Sequence, residues 1–258
     1  MLAAWLNLSG GVSRTTTGIM LKAIATILAT AFHIISITLL KALGHDIDIP
    51  IPNIPRDVRS TYNTLNIEPT IIHTICCPKC FTLYPLHAGL PDRCTWKQSP
   101  RAHACREPLM MHRRTKKGKV PIPRRMYSTQ CFKSWLEFFL QRPGIEEAIN
   151  KSYLPSVFPD GKVRDTWGSK AWRKLAGFPQ QPGNLTFSLY VDWFNPFTNK
   201  ITGKVVSTGA ILLCCMNLPP DIRYLPENVF IVGITPGPNL PDVITISHIL
   251  RPLIDTLI

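Results

Sequence analysis

No proline occurs before Pro50, although the chain of 258 residues holds 24 of them. That absence leaves residues 1–49 without the commonest helix breaker, so a helical N-terminal unit is expected there. Acidic residues are also few, 16 against 29 Lys and Arg, for a net charge of +13. The opening Met1-Leu2-Ala3-Ala4-Trp5-Leu6 has neither a basic n-region nor a proper apolar core, so a secretory leader is not expected. Internal repeats and low-complexity tracts are missing too. What is present is 45% hydrophobic, too apolar for a disordered polymer and long enough for one or two domains.

The positive charge is not spread evenly. From Arg93 to Lys174 there are 19 Lys and Arg against 6 Asp and Glu, which accounts for the whole net +13. The flanks hold ten of each sign and are neutral. A cationic middle between neutral flanks suits a localised polyanion footprint; a solvated basic surface is the plain alternative. The densest part is HRRTKKGKVPIPRR, residues 112–125, with Arg113, Arg114, Lys116, Lys117, Lys119, Arg124, Arg125 and His112 and no acid. These seven Lys and Arg residues are the expected DNA-binding set. Phosphate contacts of this kind give affinity and salt dependence without sequence readout. Gly118 and the prolines favour a loop or hairpin over a recognition helix.

Coarse periodicity sets the rest. Ser13 is the expected N-cap of a helix running from Thr15 to Leu43, with Gly44 as its stop. Eighteen residues between Lys22 and Lys41 carry no formal charge, about 27 Å of helix and just short of a hydrocarbon core. Lys22, Thr26, Thr30 and His33 fall on one face, however, which fits a helix packed in a soluble core better than a span. Pro50, Pro52 and Pro55 predict an extended linker, followed by a short helix from about Arg56 to Leu65. Residues 127–140 and the RPGIEEAI segment are expected to be helical, and Pro155–Gln181 turn-rich. From Leu185 the period changes to two. Three strands follow, near Leu185–Asp192, Lys204–Met216 and Asn228–Ile234, then a closing helix from about Pro241 to Ile258.

Eight cysteines without a secretory route read as metal ligands before disulfides. Cys77-Pro78-Lys79-Cys80 is a CxxC knuckle, and Cys94 and Cys105 complete a candidate tetrahedral zinc site. His103 is an alternative to Cys105, and Cys76 to Cys77. The competing reading is a set of buried free thiols. Structural zinc supplies on the order of 10 kcal/mol of apparent folding free energy, what a core-poor stretch such as 76–119 lacks. Cys131, Cys214 and Cys215 read as core residues.

Asp192 closes the first strand on its polar face, ahead of WFNPF. A carboxylate on a rigid strand end is where nucleotidyl-transfer enzymes hold Mg²⁺, although an Asp capping a turn before Asn-Pro has the same appearance. The run YVDWFNPFTNKITGK, with STGAILLCCMNLPPDIRYLPENVFIVGITPGPNLPD and LRPLID, resembles the transposases of CACTA (En/Spm-type) DNA elements, especially those of mushroom-forming fungi. AAWLNLSGGVSR, IPRDVRSTYNTL, CCPKCFTLYPL and RPGIEEAI resemble the same group. The resemblance implies an RNase H-like core with an Asp-Asp-Glu triad, of which Asp192 is the first acid. The acids at Asp221, Glu227, Asp242 and Asp255 match no later triad position. A truncated or decayed element product is therefore expected.

The expected fold is α+β: N-terminal helices, a zinc-ribbon-like Cys module, and the first half of an RNase H-like core, three antiparallel strands plus a helix. Its expected division is a helical unit (1–49), a linker with a short helix (50–75), a Cys-rich basic module (76–125), a helical and turn-rich basic connector (126–181) and a partial catalytic domain (182–258). The implied function is a fragment of a cut-and-paste transposase, nuclear, binding DNA, with structural zinc, and with Mg²⁺ only in a complete core. A homo-oligomer is compatible with this reading. Its rivals are a non-catalytic nucleic-acid-binding derivative and, ranked last, a membrane protein anchored by residues 23–40.

Overall fold

Serine and aspartate caps open the second and third helices. In a computed structural model the described residues are 1–40, 42–44, 53–86, 89–116, 118–153, 162–175, 177–195 and 207–258. They form two compact units, Met1–Glu68 and Pro69–Ile258.

The first unit holds α1 (Leu2–Leu8), α2 (Arg14–Ile34) continued by a π-helical stretch (Ile35–Leu40), and α3 (Val58–Leu65). Ser13 Oγ accepts the Thr16 amide at 3.1 Å, and Asp57 Oδ1 accepts the Ser60 amide at 2.8 Å. Each side chain satisfies a donor that the first helical turn leaves open. Its small core joins Ala4, Val58 and Tyr62, and the Tyr62 hydroxyl donates to Asn7 Oδ1 at 2.5 Å. The expectation of a core-packed second helix is corrected here. Thr17 is the only buried residue of α2, while Ile19, Ile27 and Ile34 are more than half exposed. The polar stripe is exposed, and the apolar surface beside it is only partly covered: Leu21, Ile24 and Leu28 are half-buried, whereas Ile19, Ile27 and Ile34 face outward. By length and composition α2 is able to cross a membrane.

The second unit is built on one antiparallel sheet of six strands. In chain order these are β1 (Ile71–Cys76) and β2 (Leu83–Tyr84), then β3 (Met110–Thr115) and β4 (Gly118–Pro123) as a separate hairpin, then β5 (Met126–Gln130). Helices α4 (Phe132–Leu140), α5 (Ile145–Asn150) and α6 (Lys170–Arg173) lead to β6 (Phe187–Phe194), β7 (Thr208–Cys215), a short α7 (Pro220–Arg223), β8 (Val229–Thr235) and the closing α8 (Ile246–Leu257). The sheet order is β2-β1-β5-β8-β7-β6. The three expected strands and their helix are thus present as an antiparallel meander. Three strands from the cysteine side extend the same sheet.

The helix expected over 127–140 begins later, at Phe132. Residues 126–130 are a strand instead, with Tyr127 wholly buried between exposed Met126 and half-buried Ser128, and Cys131 separates strand from helix. Pairing with β1 at five successive positions makes this segment a strand, and it turns Tyr127 into the core. The main core gathers Tyr127, Trp135, Phe139, Ile211, Leu213, Phe230, Val232, Ile249 and Leu253. Trp135 and Phe139 stack at 4.7 Å, one helical turn apart on α4. On α8 the buried pair Ile249 and Leu253 has the same spacing, whereas Leu257 lies in solvent.

The two halves of the sheet meet at a narrow joint. β5 pairs with β8 only at Ser128–Ile234 and Thr129–Gly233. A Cβ on Gly233 would sit 2.7 Å from the Ser128 carbonyl oxygen and 2.8 Å from the Tyr127 hydroxyl, so glycine permits the strands to close. Residues 162–175 are tied to the sheet by Arg223, which is buried and binds Asp165 through two nitrogens at 2.7 and 2.8 Å.

Candidate metal centre and basic surface

Cys77 follows directly on β1, and the chain turns back at once. The Phe81 amide donates to the Cys77 carbonyl at 3.1 Å, the Cys77 amide to the Thr82 carbonyl at 3.0 Å. Phe81 takes the left-handed conformation (φ 61°), uncommon for a bulky residue, and this reversal brings Cys80 back beside Cys77. The second half has no short knuckle. There, two strand-like segments pair: the Cys94 amide donates to Glu107, the Arg106 amide to Cys94 and the Cys105 amide to Trp96, all at 2.8–2.9 Å. Arg106 (φ 56°) repeats the left-handed turn after its cysteine. Backbone pairing thus brings together two thiols that the sequence holds eleven positions apart.

The four sulfurs of Cys77, Cys80, Cys94 and Cys105 all lie within 4.8 Å of one another. Cys77 to Cys105 is 3.8 Å and Cys80 to Cys94 is 3.4 Å. A tetrahedron with metal–sulfur arms of about 2.3 Å has edges of about 3.8 Å, so the donor set fits a metal such as zinc. Three of the thiols are buried and Cys105 is half-buried. Hydrogen bonding from Cys80 and from backbone amides at Lys79 and Cys80 holds the Cys77 thiol down to about 5, against burial; Cys80, the donor, is held up. The two alternatives left open by spacing are resolved: neither Cys76 nor His103 belongs to this group. Cys76 turns into the core, where burial pushes its thiol up to about 12.

Several groups that spacing did not reveal complete the surroundings. The Tyr84 hydroxyl donates to Cys94 Sγ at 3.2 Å, and Thr82 Oγ1 lies 3.2 Å from Cys80 Sγ. His248, from α8, places Nδ1 2.7 Å from the Cys80 carbonyl oxygen, with Trp96 edge-on to its ring at 4.9 Å. The only sequence signal for these is the Thr and Tyr of CFTLY, hydroxyls within four residues of Cys80. Nothing local marks His248, which lies 168 residues away.

The predicted basic residues separate into two groups. Arg113, Arg114, Lys116 and Lys119 are exposed on the β3–β4 hairpin or its turn. Arg114 stands directly across from Lys119, and His112 from Pro121. Arg124 is ion-paired with Glu107 at the hairpin's root. Arg125 turns inward: its guanidinium lies 5.1 Å from the Phe81 ring centroid, and one terminal nitrogen is buried without a partner. Arg125 sits beside Cys76 and Cys77, a cation placed to offset thiolate charge. Lys117 lies outside the described residues.

Asp192 is exposed on β6, the outermost strand, opposite Ala210 of β7. Among the described residues, no group of three or more metal-ligating side chains includes it. Most of the NPF stretch that follows lies outside the described residues. Cys214 and Cys215 are buried in β7, as expected of core residues. Comparison with protein-family models, with curated proteins and with solved structures finds no match.

Proposed function

We propose that this chain is a DNA-binding portion of a cut-and-paste transposase, gripping DNA through a basic hairpin rooted on a zinc-stapled module. The observation that carries the reading is the Arg114–Lys119 pair. Like charges directly across a hairpin destabilise it. A fold that keeps them, in full exposure and with Arg113 and Lys116 alongside, is suited to a polyanion that relieves the repulsion. Bound zinc would cross-link the four thiolates and fix the hairpin's root. Cys77, Cys80, Cys94 and Cys105 would hold it, with Arg125 offsetting the excess negative charge.

The meander β6–β7–β8 followed by α8 is compatible with the first half of an RNase H-like core. In that reading Asp192 is the first catalytic acid. Mg²⁺ would bind only once two further acids completed the set, so this polypeptide alone is expected to bind DNA without cutting it. The nucleus is the compartment in which this activity has its substrate. The test is incubation of the zinc-loaded chain with duplex DNA and Mg²⁺: retarded mobility with intact strands supports the reading, whereas cleavage or no binding refutes it.

The exposure of Asp192, outside any group of three metal-ligating side chains among the described residues, favours a second reading, a non-catalytic binder derived from such an element. Supplying a complementing C-terminal half to the chain and to Asp192→Ala separates the two, since only an enzyme loses strand transfer. The exposed apolar residues of α2, Ile19, Ile27 and Ile34, favour membrane attachment of the first unit. Recovery of the chain in the aqueous fraction without detergent would exclude it.

A further inference from the structure

The hairpin's dimensions bear on which part of DNA it meets. β3 and β4 contribute six residues each, paired in register from Met110–Pro123 to Thr115–Gly118. At about 3.4 Å per residue this ribbon is roughly 20 Å long. From Met111 to Pro121 every described residue is exposed, so both faces project into solvent. The root, in contrast, is fixed. Arg93 bridges to Pro108, the Leu109 amide donates to Asp92, and the Arg124 amide donates to the wholly buried Leu109. A rigidly rooted, free-standing ribbon carries its cations as a unit.

Two strands about 4.8 Å apart, with side chains on both sides, need a channel on the order of 10 Å. The B-form major groove, about 12 Å wide, admits such a ribbon; the minor groove, about 6 Å wide, does not. The major groove of an A-form RNA duplex is too narrow as well. A second observation points to phosphate at the same place. An open concavity of about 580 Å³ is lined by Arg93, Lys97 and Arg106, beside Cys94. Arg93 is itself the residue bridged to the hairpin's root. Among the described residues, no acidic side chain lines it.

We propose that the β3–β4 hairpin enters the major groove of B-form duplex DNA as a two-stranded ribbon, while the Arg93–Lys97–Arg106 concavity receives a backbone phosphate beside that groove. This rests on the DNA-binding reading above and adds the groove, the docking element and a phosphate site. Arg114 and Lys119 enter together because they share one face. The concavity stays at the groove's rim, where a phosphate anchors the ribbon's depth.

The test uses the full zinc-loaded chain and four fluorescent probes of one mixed sequence at low salt. These are a plain duplex, the duplex with glucosylated 5-hydroxymethylcytosine filling its major groove, the duplex with netropsin in its minor groove, and an RNA duplex. Binding to the plain and netropsin-treated duplexes alike, with at least tenfold weaker binding to the glucosylated and RNA duplexes, is expected. Equal binding to the glucosylated duplex, displacement by netropsin or equal binding to RNA overturns the groove assignment and leaves polyanion binding standing. No binding to any duplex overturns both. The doubly substituted R114A/K119A chain should lower the slope of log K against log salt by about 1.8, because each phosphate no longer neutralised removes about 0.9. R93A/R106A should lower it too; an unchanged slope overturns the phosphate site. Zinc content and melting temperature equal to wild type certify the variants, and the four-probe comparison on the native chain stands without them.

Discussion

His248 Nδ1 donates to the Cys80 carbonyl oxygen across 2.7 Å, joining the closing helix to the knuckle of the cysteine cluster. The same nitrogen lies 3.3 Å from Thr82 Oγ1, whose hydroxyl is 3.2 Å from Cys80 Sγ. A single imidazole thus orients both the backbone and the hydroxyl that support one sulfur. Partners of metal ligands tune affinity in this way. His248→Ala should weaken zinc binding about tenfold or more. Competition against a chromophoric chelator measures it; unchanged affinity would show the contact to be packing alone.

Removing the metal should reach beyond the cysteines. Cys77 follows directly on β1, and β1 pairs with β5 over five residues. Chelation, or Cys94→Ser, should therefore lower the melting temperature of the 69–258 unit by about 10 °C or more, given the size of structural zinc contributions. Scanning calorimetry with and without chelator reads this directly. Re-adding zinc should restore the native chain and leave Cys94→Ser low.

Gly233→Ala is expected to be among the most damaging of small substitutions. The new methyl would meet the Ser128 carbonyl at the two-pair joint between β5 and β8. Overpacking of this kind costs about 1–3 kcal/mol. Urea unfolding measures the shift, and amide exchange should speed up first at Thr129 and its neighbours.

Stability should also fall in acid through Asp165. Burial pushes its carboxyl up, but the bidentate Arg223 guanidinium and the Thr166 bonds reverse this and hold it below the ordinary 3.8. A depressed carboxyl contributes stability that is present above its unfolded value and lost as pH falls through the folded one. The denaturant midpoint should therefore hold above about pH 4 and decline below it. Asp165→Asn should flatten that decline and lower the plateau. Arg223→Ala, which strands a partly buried carboxylate, should cost about 3 kcal/mol near neutral pH.

How much of this was legible beforehand depends on the range of the interactions. The start of α2, α3 and the three-strand meander follow local periodicity and capping and stand within a few residues of the pattern, whereas α2 gives way to a π-helical stretch after Ile34 and α8 starts five residues later than Pro241. The CxxC knuckle was equally local. Pairing of Cys94–Trp96 with Cys105–Glu107 was not, because the eight-residue loop between them carries no register in its sequence. The strand at 126–130 was hidden by an apolar helix immediately after it, and only the burial of Tyr127 against distant residues decides it. Arg124 and Arg125 look identical in a basic run, yet one pairs with Glu107 and the other packs on Phe81. The exposure of α2 is not legible for a related reason: a polar stripe shows which face avoids apolar neighbours and says nothing of whether a partner covers the rest.

The most direct measurement of the central claim is an equilibrium titration of a labelled duplex at about 50 and about 200 mM salt, with the chain zinc-loaded and chelated. With roughly four or more exposed cations on phosphates, zinc-loaded affinity should fall on the order of 100-fold between the two salts. The chelated chain should bind weakly at both. A zinc-loaded chain that binds no duplex at the lower salt, or one whose binding ignores both salt and zinc, would contradict the account of a metal-stapled hairpin that holds DNA.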